Sequence, residues 1–377
     1  MRTMLKIHWF LPTGGDARRL LDDGASQANR AGTRAGSFRA PTLEYLSSVA
    51  RVVDGLGYES VLTPTGSQCE DAWVATAALL SGTSRLKYMV AFRPSQLSPV
   101  LAAQMAATYQ RVSGGRLLLN VVTGSPDAEA HRYGDWYDKD QRYRQTGEFL
   151  AVMRGAWSGT PFDFQGEFFT VEKAATRYLP DPPPTVYFGG SSDQAARVAA
   201  KYVDVYLTWG EPVEAVKEKI DRLRALAAEE GRTLRFGIRM HVIARPDADS
   251  AWRQAESLLD GLSDDVIAKA QATLRGRGSE GQRRLLDLTG GSRDKLVVAP
   301  NLWAGVSLVR GGAGTALVGS YTEVADRMQE YRSVGIEEFV LGGYPHIEEA
   351  YWFAEGVMPE LESRGLLSRA DKLSSVA

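Results

Sequence analysis

The sequence predicts an α/β fold of the (β/α)8 TIM-barrel type with insertions, including a mobile lid between the seventh and eighth strands. Three observations predict it. Short, apolar, β-branched runs alternate with amphipathic helical segments, which argues for a parallel sheet. Eight strand candidates occur, at 7–12, 60–65, 87–93, 117–123, 185–190, 205–209, 234–244 and 339–344, which argues for closure into a barrel. No candidate leads directly into a G-x-G-x-x-G turn, so the open doubly wound sheet lacks its phosphate-binding signature.

The elements follow in order. IHWFLP leads through a Gly/Ser/Arg-rich stretch into the helical TLEYLSSVARVVDGLG. SVLTPT, helix EDAWVATAALLSG, KYMVAFRP, helix PVLAAQMAATYQRVSGG and LLLNVVTG come next. The helices carry apolar residues at i, i+3 and i+4 and stop at glycine. After a polar stretch and helix RYRQTGEFLAVMRGAW, FDFQGEFFTV reads as a small hairpin turning at Gln165-Gly166. TVYFGG, helix SDQAARVAAKYV, VYLTWG, helix PVEAVKEKIDRLRALAAEEG and LRFGIRMHVIA continue the rhythm; 321–335 and 339–345 supply the last helix and strand.

The rhythm breaks between Pro246 and Tyr321, where helices from Asp249 and Asp264 are followed by the basic, Gly-rich loop TLRGRGSEGQRRLLDLTGGSRDK. Long loops in compact domains are usually functional or disordered. Glycines at 305, 311, 312, 314 and 319 beside apolar Trp303, Leu308 and Val309 predict a lid at about 263–320 that carries Arg310. A surface insertion serving oligomerisation is the alternative. The whole chain, 1–377, reads as one domain.

Strand 234–244 is chemically unusual. Alternation places Phe236, Ile238, Met240 and Val242 on one face and Gly237, Arg239, His241 and Ile243 on the other. An arginine and a histidine on a buried strand are costly unless paired, so an anion is expected opposite them. The last strand repeats the spacing with Tyr344 and His346. Barrel active sites lie at the C-terminal strand ends. Here those ends carry Thr65 with Cys69 beyond it, Arg93, Asn120 and Thr123, GGSSD (189–193), Trp209, Arg239 with His241, and Tyr344 with His346. GGSSD combines close backbone approach, the hydroxyls of Ser191 and Ser192, and a helix N-terminus, which suits phosphate and also suits a plain N-cap.

Bulk properties exclude several classes. With 44 basic and 46 acidic residues the net charge is −2, which gives no footprint for nucleic acid or an anionic membrane. The single cysteine, Cys69, excludes an intramolecular disulfide framework and fits a reducing compartment. The N-terminal residues lack signal-peptide regions and no apolar run approaches a membrane span, so a cytoplasmic location is expected. No H-x-x-x-H or carboxylate cluster has metal-ligand spacing, so no metal is expected, and no G-x-S-x-G elbow supports a serine hydrolase.

The segments IHWFLPTGGD, GYESVLTPTGSQCEDAWV, VAFRPSQLSPVLAAQMAA, NVVTGS, RYRQTGEF, YFGGSSD, YLTWGEP, FGIRMHVI, APNLWAGVSLVRGGAGTALVG and VLGGYPHIEEA together resemble the flavin-dependent alkanesulfonate monooxygenases of the bacterial luciferase-like superfamily, over about residues 6–359. The resemblance implies a two-component system. A separate NAD(P)H-dependent FMN reductase supplies FMNH2, which the monooxygenase uses with O2 to break the C–S bond of an organosulfonate, giving sulfite and an aldehyde. It implies that Trp209, Arg239, His241, Tyr344 and His346 bind the sulfonate, with Arg310 closing from the lid, and that Cys69 acts near the flavin. FMN is then held by Thr65, Asn120, Thr123 and Tyr143, with Ser191 and Ser192 at its phosphate. Chemically, arginine suits a permanent anion, and His241 or His346 is expected to titrate near neutrality and move a proton.

The family pattern P-T-H-G-D carries Gly14 here in place of histidine, and the loop that follows is longer. Both features resemble the sulfoquinovose monooxygenases, which release sulfite and a 6-oxo-glucose, and point to a bulky, polyhydroxylated sulfonate. A linear alkanesulfonate or methanesulfonate is the alternative. From other classes stand a flavin or deazaflavin oxidoreductase that handles no sulfonate, and a non-catalytic flavin-binding barrel. A homodimer or homotetramer is expected, through helices 69–82 and 99–112.

Overall fold

The computed structural model describes residues 4–23, 38–124, 126–276 and 279–369. Eight parallel strands close a barrel: β1 (Lys6–Phe10), β2 (Ser60–Thr63), β3 (Lys87–Phe92), β4 (Leu117–Val121), β5 (Thr185–Phe188), β6 (Val205–Trp209), β7 (Arg235–Arg239) and β8 (Glu338–Val340). Neighbours follow chain order, and β8 closes on β1 with Ile7 beside Phe339. The barrel-and-helix architecture expected from the alternation is the one observed, as is the hairpin Phe162–Gln165 with Thr170–Ala174.

Period-two alternation sorts each strand into two cores. Inward-facing Phe10, Leu62, Met89, Leu118, Tyr187 and Leu207 fill the barrel, while Trp9, Val61, Tyr88 and Leu119 pack outward against the helices. His8 belongs to the inner set. Its Nδ1 lies 2.7 Å from Ser60 Oγ and its Nε2 3.1 Å from Glu338 Oε2, an oxygen that also accepts from Tyr187 at 2.7 Å. Arg235 pairs with the other carboxylate oxygen. His8 is therefore a satisfied core histidine. Helix boundaries follow local chemistry: Thr42, Asp71 and Ser192 are N-caps, and Asp138 and Ser320 form capping boxes. Gly57 and Gly114 end helices at φ of 84° and 66°.

The expected strand 234–244 is two strands. At Met240 the extended chain changes partners: Met240 N–H donates to Val340 of β8, but His241 N–H donates to Thr315, and His241–Arg245 pairs in parallel with Ala316–Ser320. A second, four-stranded sheet results, continued by Leu302–Trp303 and Val297–Ala299. The side-chain alternation carries through the change. Phe236, Ile238, Met240 and Val242 share the outer core, as the pattern required.

The interval read as lid is accordingly built on a sheet. It has its own apolar cluster, in which Ile243, Trp303, Leu308 and Val318 pack with Leu20 from the loop after β1. The stretch read as a basic loop contains a helix, Glu280–Thr289, capped by Ser279 and burying Leu285 and Leu286 while Arg283 stays exposed. Four charges in ten residues hid that short apolar face. Arg284 grips Glu211 after β6 through two hydrogen bonds of 2.9 and 2.6 Å, tying this helix to the barrel. Of the long loop after β1, residues 24–37 lie outside the described residues.

Candidate active site

The C-terminal strand ends open into a cavity of about 470 Å³. Its floor is Leu62 of β2, Asn120 and Thr123 at β4, Leu207 to Trp209 of β6, and Arg239 ending β7. One end is the GGSSD turn. Ser192 caps helix Asp193–Tyr202, accepting from Ala195 N at 3.3 Å, and the Tyr143 hydroxyl hydrogen-bonds Ser192. Glycine is required here by close approach: a Cβ on Gly189 would lie 2.8 Å from the Leu207 carbonyl oxygen, and one on Gly190 2.7 Å from the Ala195 Cβ. Lys139 and Arg142 line the same cavity, Arg142 already paired with Asp127 at 3.0 Å and Asp135 at 3.2 Å. Ser279 to Gln282, beside Ser191 and Trp209, and Gly312 complete the lining.

A second cavity of about 200 Å³ is lined by Phe10, Pro12, Gly14, Gly15, Pro64, Gln68, Cys69, Arg239, Arg310 and Gly311. Arg239 belongs to both cavities and separates them. The guanidiniums of Arg239 and Arg310 both lie over the Phe10 ring, at 4.6 and 5.5 Å. Among the described residues no carboxylate lines this cavity. Among the described residues Arg239 has no carboxylate at ion-pairing distance. Burial and the neighbouring Arg310 push the Arg239 guanidinium down to about 10. Burial holds the Cys69 thiol above its ordinary value, which keeps it protonated.

Behind Arg310 lies a buried polar cluster. Arg310 approaches Asp23 at 3.6 Å, and the Tyr344 hydroxyl donates to the same Asp23 oxygen at 3.2 Å. Nε2 of His241 lies 3.2 Å from Nη1 of Arg310 and 3.1 Å from the Ala313 carbonyl. One neutral ring cannot satisfy both. Tyr344 stacks on His241 at 5.2 Å, and His346 stacks on Phe10 at 5.4 Å. The His346 N–H donates to Asp16 at 2.9 Å.

Most of the expected residues converge. Asn120, Thr123, Tyr143, Ser191, Ser192, Trp209 and Arg239 line the larger cavity, and Cys69, Arg239 and Arg310 the smaller. Thr65, two residues beyond the end of β2 at Thr63, is not among the residues that line these two cavities. One expectation needs correction. His241 and His346 are not poised near neutrality. Burial first, then the charge of Arg310, pushes His346 down to about 3 and His241 well below its ordinary value, so both rings are neutral at pH 7. They and Tyr344 support Arg310 from behind instead of lining either cavity. Sequence reasoning missed Arg142, Lys139 and Gln282. Arg142 directly precedes Tyr143 in RYRQTGEF and was within reach, whereas reading 280–289 as loop concealed Gln282.

A profile of luciferase-like monooxygenases matches residues 6–338. The chain belongs to the luciferase-like monooxygenase family. Among solved structures, this luciferase-like chain is similar to a riboflavin lyase determined with modified FMN and riboflavin, at 19% identity over 97% of this chain and 93% of that one, with a TM-score of 0.80. It is also similar to a long-chain alkane monooxygenase, at 20% identity over 98% and 94%, with a TM-score of 0.77. The EDTA monooxygenase of Chelativorans sp. BNC1 matches at 20% identity over 98% and 96%, with a TM-score of 0.73. At such identities the likeness is one of fold. Among the described residues no helix is long and apolar enough to cross a membrane, and no group of three or more His, Cys, Asp or Glu is placed to hold a metal ion.

Proposed function

We propose that this luciferase-like monooxygenase is an FMNH2- and O2-dependent desulfonating enzyme that converts an organosulfonate, in the first instance sulfoquinovose, to sulfite and an aldehyde. The observation that carries the reading is the smaller cavity, whose wall, among the described residues, presents two guanidiniums and no carboxylate. The buried Arg239 guanidinium, held down by its burial and by the charge of Arg310, is a ground-state cost, and a permanent anion beside it removes that cost. A neutral alkane gives no such relief.

The larger cavity fits FMN. A glycine cradle that any Cβ would fill, two serines at a helix N-terminus and the cation Lys139 suit a phosphate, and Asn120, Thr123 and Trp209 line the way towards Arg239. When bound, reduced flavin supplies the electrons with which O2 is activated; a separate NAD(P)H-dependent FMN reductase is its source in this reading. The chain's own residues then do three things. Arg239 and Arg310 hold the sulfonate oxygens and offset the negative charge that builds up at sulfur. The neutral His241, its Nε2 3.2 Å from Nη1 of Arg310, backs that guanidinium without adding charge. The lid segment 279–282 covers the larger cavity and excludes water.

The substrate proposal rests on Gly14, which lines the smaller cavity and leaves space for a ring. Sulfite release with chemically reduced FMN and O2 tests both levels, comparing sulfoquinovose, octanesulfonate and methanesulfonate. Highest kcat/KM on sulfoquinovose is expected. Preference for a linear substrate overturns the sulfosugar proposal, and no sulfite from any of the three overturns desulfonation.

A further inference from the structure

We infer that Gln282 couples occupancy of the larger cavity to the placement of Arg310, an inference that rests on reading that cavity as the flavin site. Gln282 stands in the first turn of helix Glu280–Thr289 and is only 3% exposed. Its Oε1 accepts from the N–H of Gly312 at 3.0 Å, which fixes the orientation of the amide. Its Nε2 has no partner among the described residues, although the side chain lines the cavity. A buried amide donor left unpaired is costly, so a hydrogen-bond acceptor arriving in the cavity recovers what the empty site loses.

The neighbours say where the acceptor sits. A Cβ on Gly281 would lie 3.0 Å from the Trp209 ring and 3.4 Å from Ser191 Oγ, so this turn of the lid is pressed against the Ser191 end of the cavity. The acceptor is therefore an oxygen of the ligand's phosphate or polyol chain. On its other side the amide holds Gly312, a residue at φ 89° two positions beyond Arg310. A ligand oxygen on Nε2 fixes the amide at both ends, and with it the turn that directs Arg310 into the smaller cavity. Gln282 is a positioning residue: it acts on the sulfonate site only through Arg310.

Two substitutions separate the two halves of the amide. Gln282→Glu keeps an acceptor for Gly312 N–H but replaces the donor, and Gln282→Met at similar volume removes both. The readouts are FMN affinity by fluorescence quenching and hydrogen exchange of peptides spanning Gly312 with and without FMN; ligand-free thermal unfolding checks that each variant folds. In the parent protein FMN binding slows exchange at Gly312. Gln282→Glu is expected to keep ligand-free protection, to bind FMN about tenfold more weakly, and to gain no protection when FMN is added. Gln282→Met is expected to lose ligand-free protection at Gly312 as well. Unchanged FMN affinity in Gln282→Glu, or undiminished FMN-induced protection of Gly312, overturns the coupling while leaving the flavin site standing. Failure of the parent protein itself to bind FMN overturns both, and the two failures are told apart by that first measurement.

Discussion

Arg239 and Arg310 carry the charge at this site because the histidines beside them cannot. With His346 held at about 3 and His241 well below its ordinary value, an anion in the smaller cavity meets two guanidiniums, and the rings behind Arg310 are neutral. Alanine at either arginine removes charge-assisted hydrogen bonds worth about 1.5–3 kcal/mol each, so KM for the sulfonate is expected to rise about 10- to 100-fold. Steady-state sulfite assays measure this, and unchanged sulfite release in both variants would sink the sulfonate assignment. Gly14 governs a different property. A Cβ there makes only ordinary contacts, 3.4 Å to the Gln68 carbonyl oxygen and 3.9 Å to Cys69 Sγ, so the position accepts a side chain without strain. Gly14→His is expected to fold normally and to fill part of the 200 Å³ cavity. The ratio of kcat/KM for sulfoquinovose over octanesulfonate then falls; a ratio that holds or rises shows that Gly14 does not set substrate size.

At the scale of elements, the GGSSD turn depends on how closely β5, β6 and helix Asp193–Tyr202 approach. Gly190→Ala drives a Cβ to 2.7 Å from that of Ala195 and 3.1 Å from the Tyr143 hydroxyl. Overpacking of this kind costs about 1–3 kcal/mol. Because the same turn forms one end of the larger cavity, FMN affinity is expected to fall together with the unfolding temperature. Binding titration and thermal unfolding check this, and intact FMN affinity would show that the turn does not hold phosphate. This cradle was legible in the sequence, since two glycines, two serines and a helix start are all local signals. The helix that covers it was not. Glu280–Thr289 has a buried face of a few residues among charges, and its stability comes from packing on the lid and from the Arg284–Glu211 pair, contacts between residues 73 positions apart.

For the whole molecule, acid stability is set by buried groups at both ends of the barrel. Burial alone would raise the Glu338 carboxyl, but its hydrogen bond to His8 and the charges of His8, Arg235 and Lys6 outweigh this and bring it to about 2. A carboxylate depressed from 4.5 contributes stability that is fully present above pH 4.5 and is lost as pH falls towards 2. His346, buried neutral at about 3 against an ordinary 6.5, contributes stability present above pH 6.5 and lost as pH falls towards 3. Asp16 acts in the opposite sense. Burial raises it from 3.8 to about 6, so its contribution is present below pH 3.8 and is lost as pH rises through 6. Because the gain at Asp16 offsets the loss at His346 between pH 6 and 3.8, the unfolding temperature is expected to fall only slightly on acidification below pH 6.5, with a further drop below 4.5. Gln at 338 is expected to lower the unfolding temperature at pH 7, because it leaves Arg235 and His8 without their carboxylate, and to abolish that second drop. Thermal scans across pH 3–8 measure both, and a second drop that survives in Glu338→Gln would place it elsewhere.

All eight barrel strands were readable from the sequence, because apolar alternation, capping residues and terminating glycines act over a few positions and were written out along the chain. So were Arg239 and His241 as an anomaly on an apolar strand, and Arg310 as a charge on a Gly-rich segment. The tertiary structure alone decided that the strand changes sheets at Met240, since pairing with β8 or with Ala316–Ser320 leaves the same side-chain pattern. It alone placed Arg239 between two cavities and the histidines behind Arg310, where burial keeps them neutral. Alternation says which face a residue occupies; what faces it, and how much water remains there, depends on segments far away in the chain.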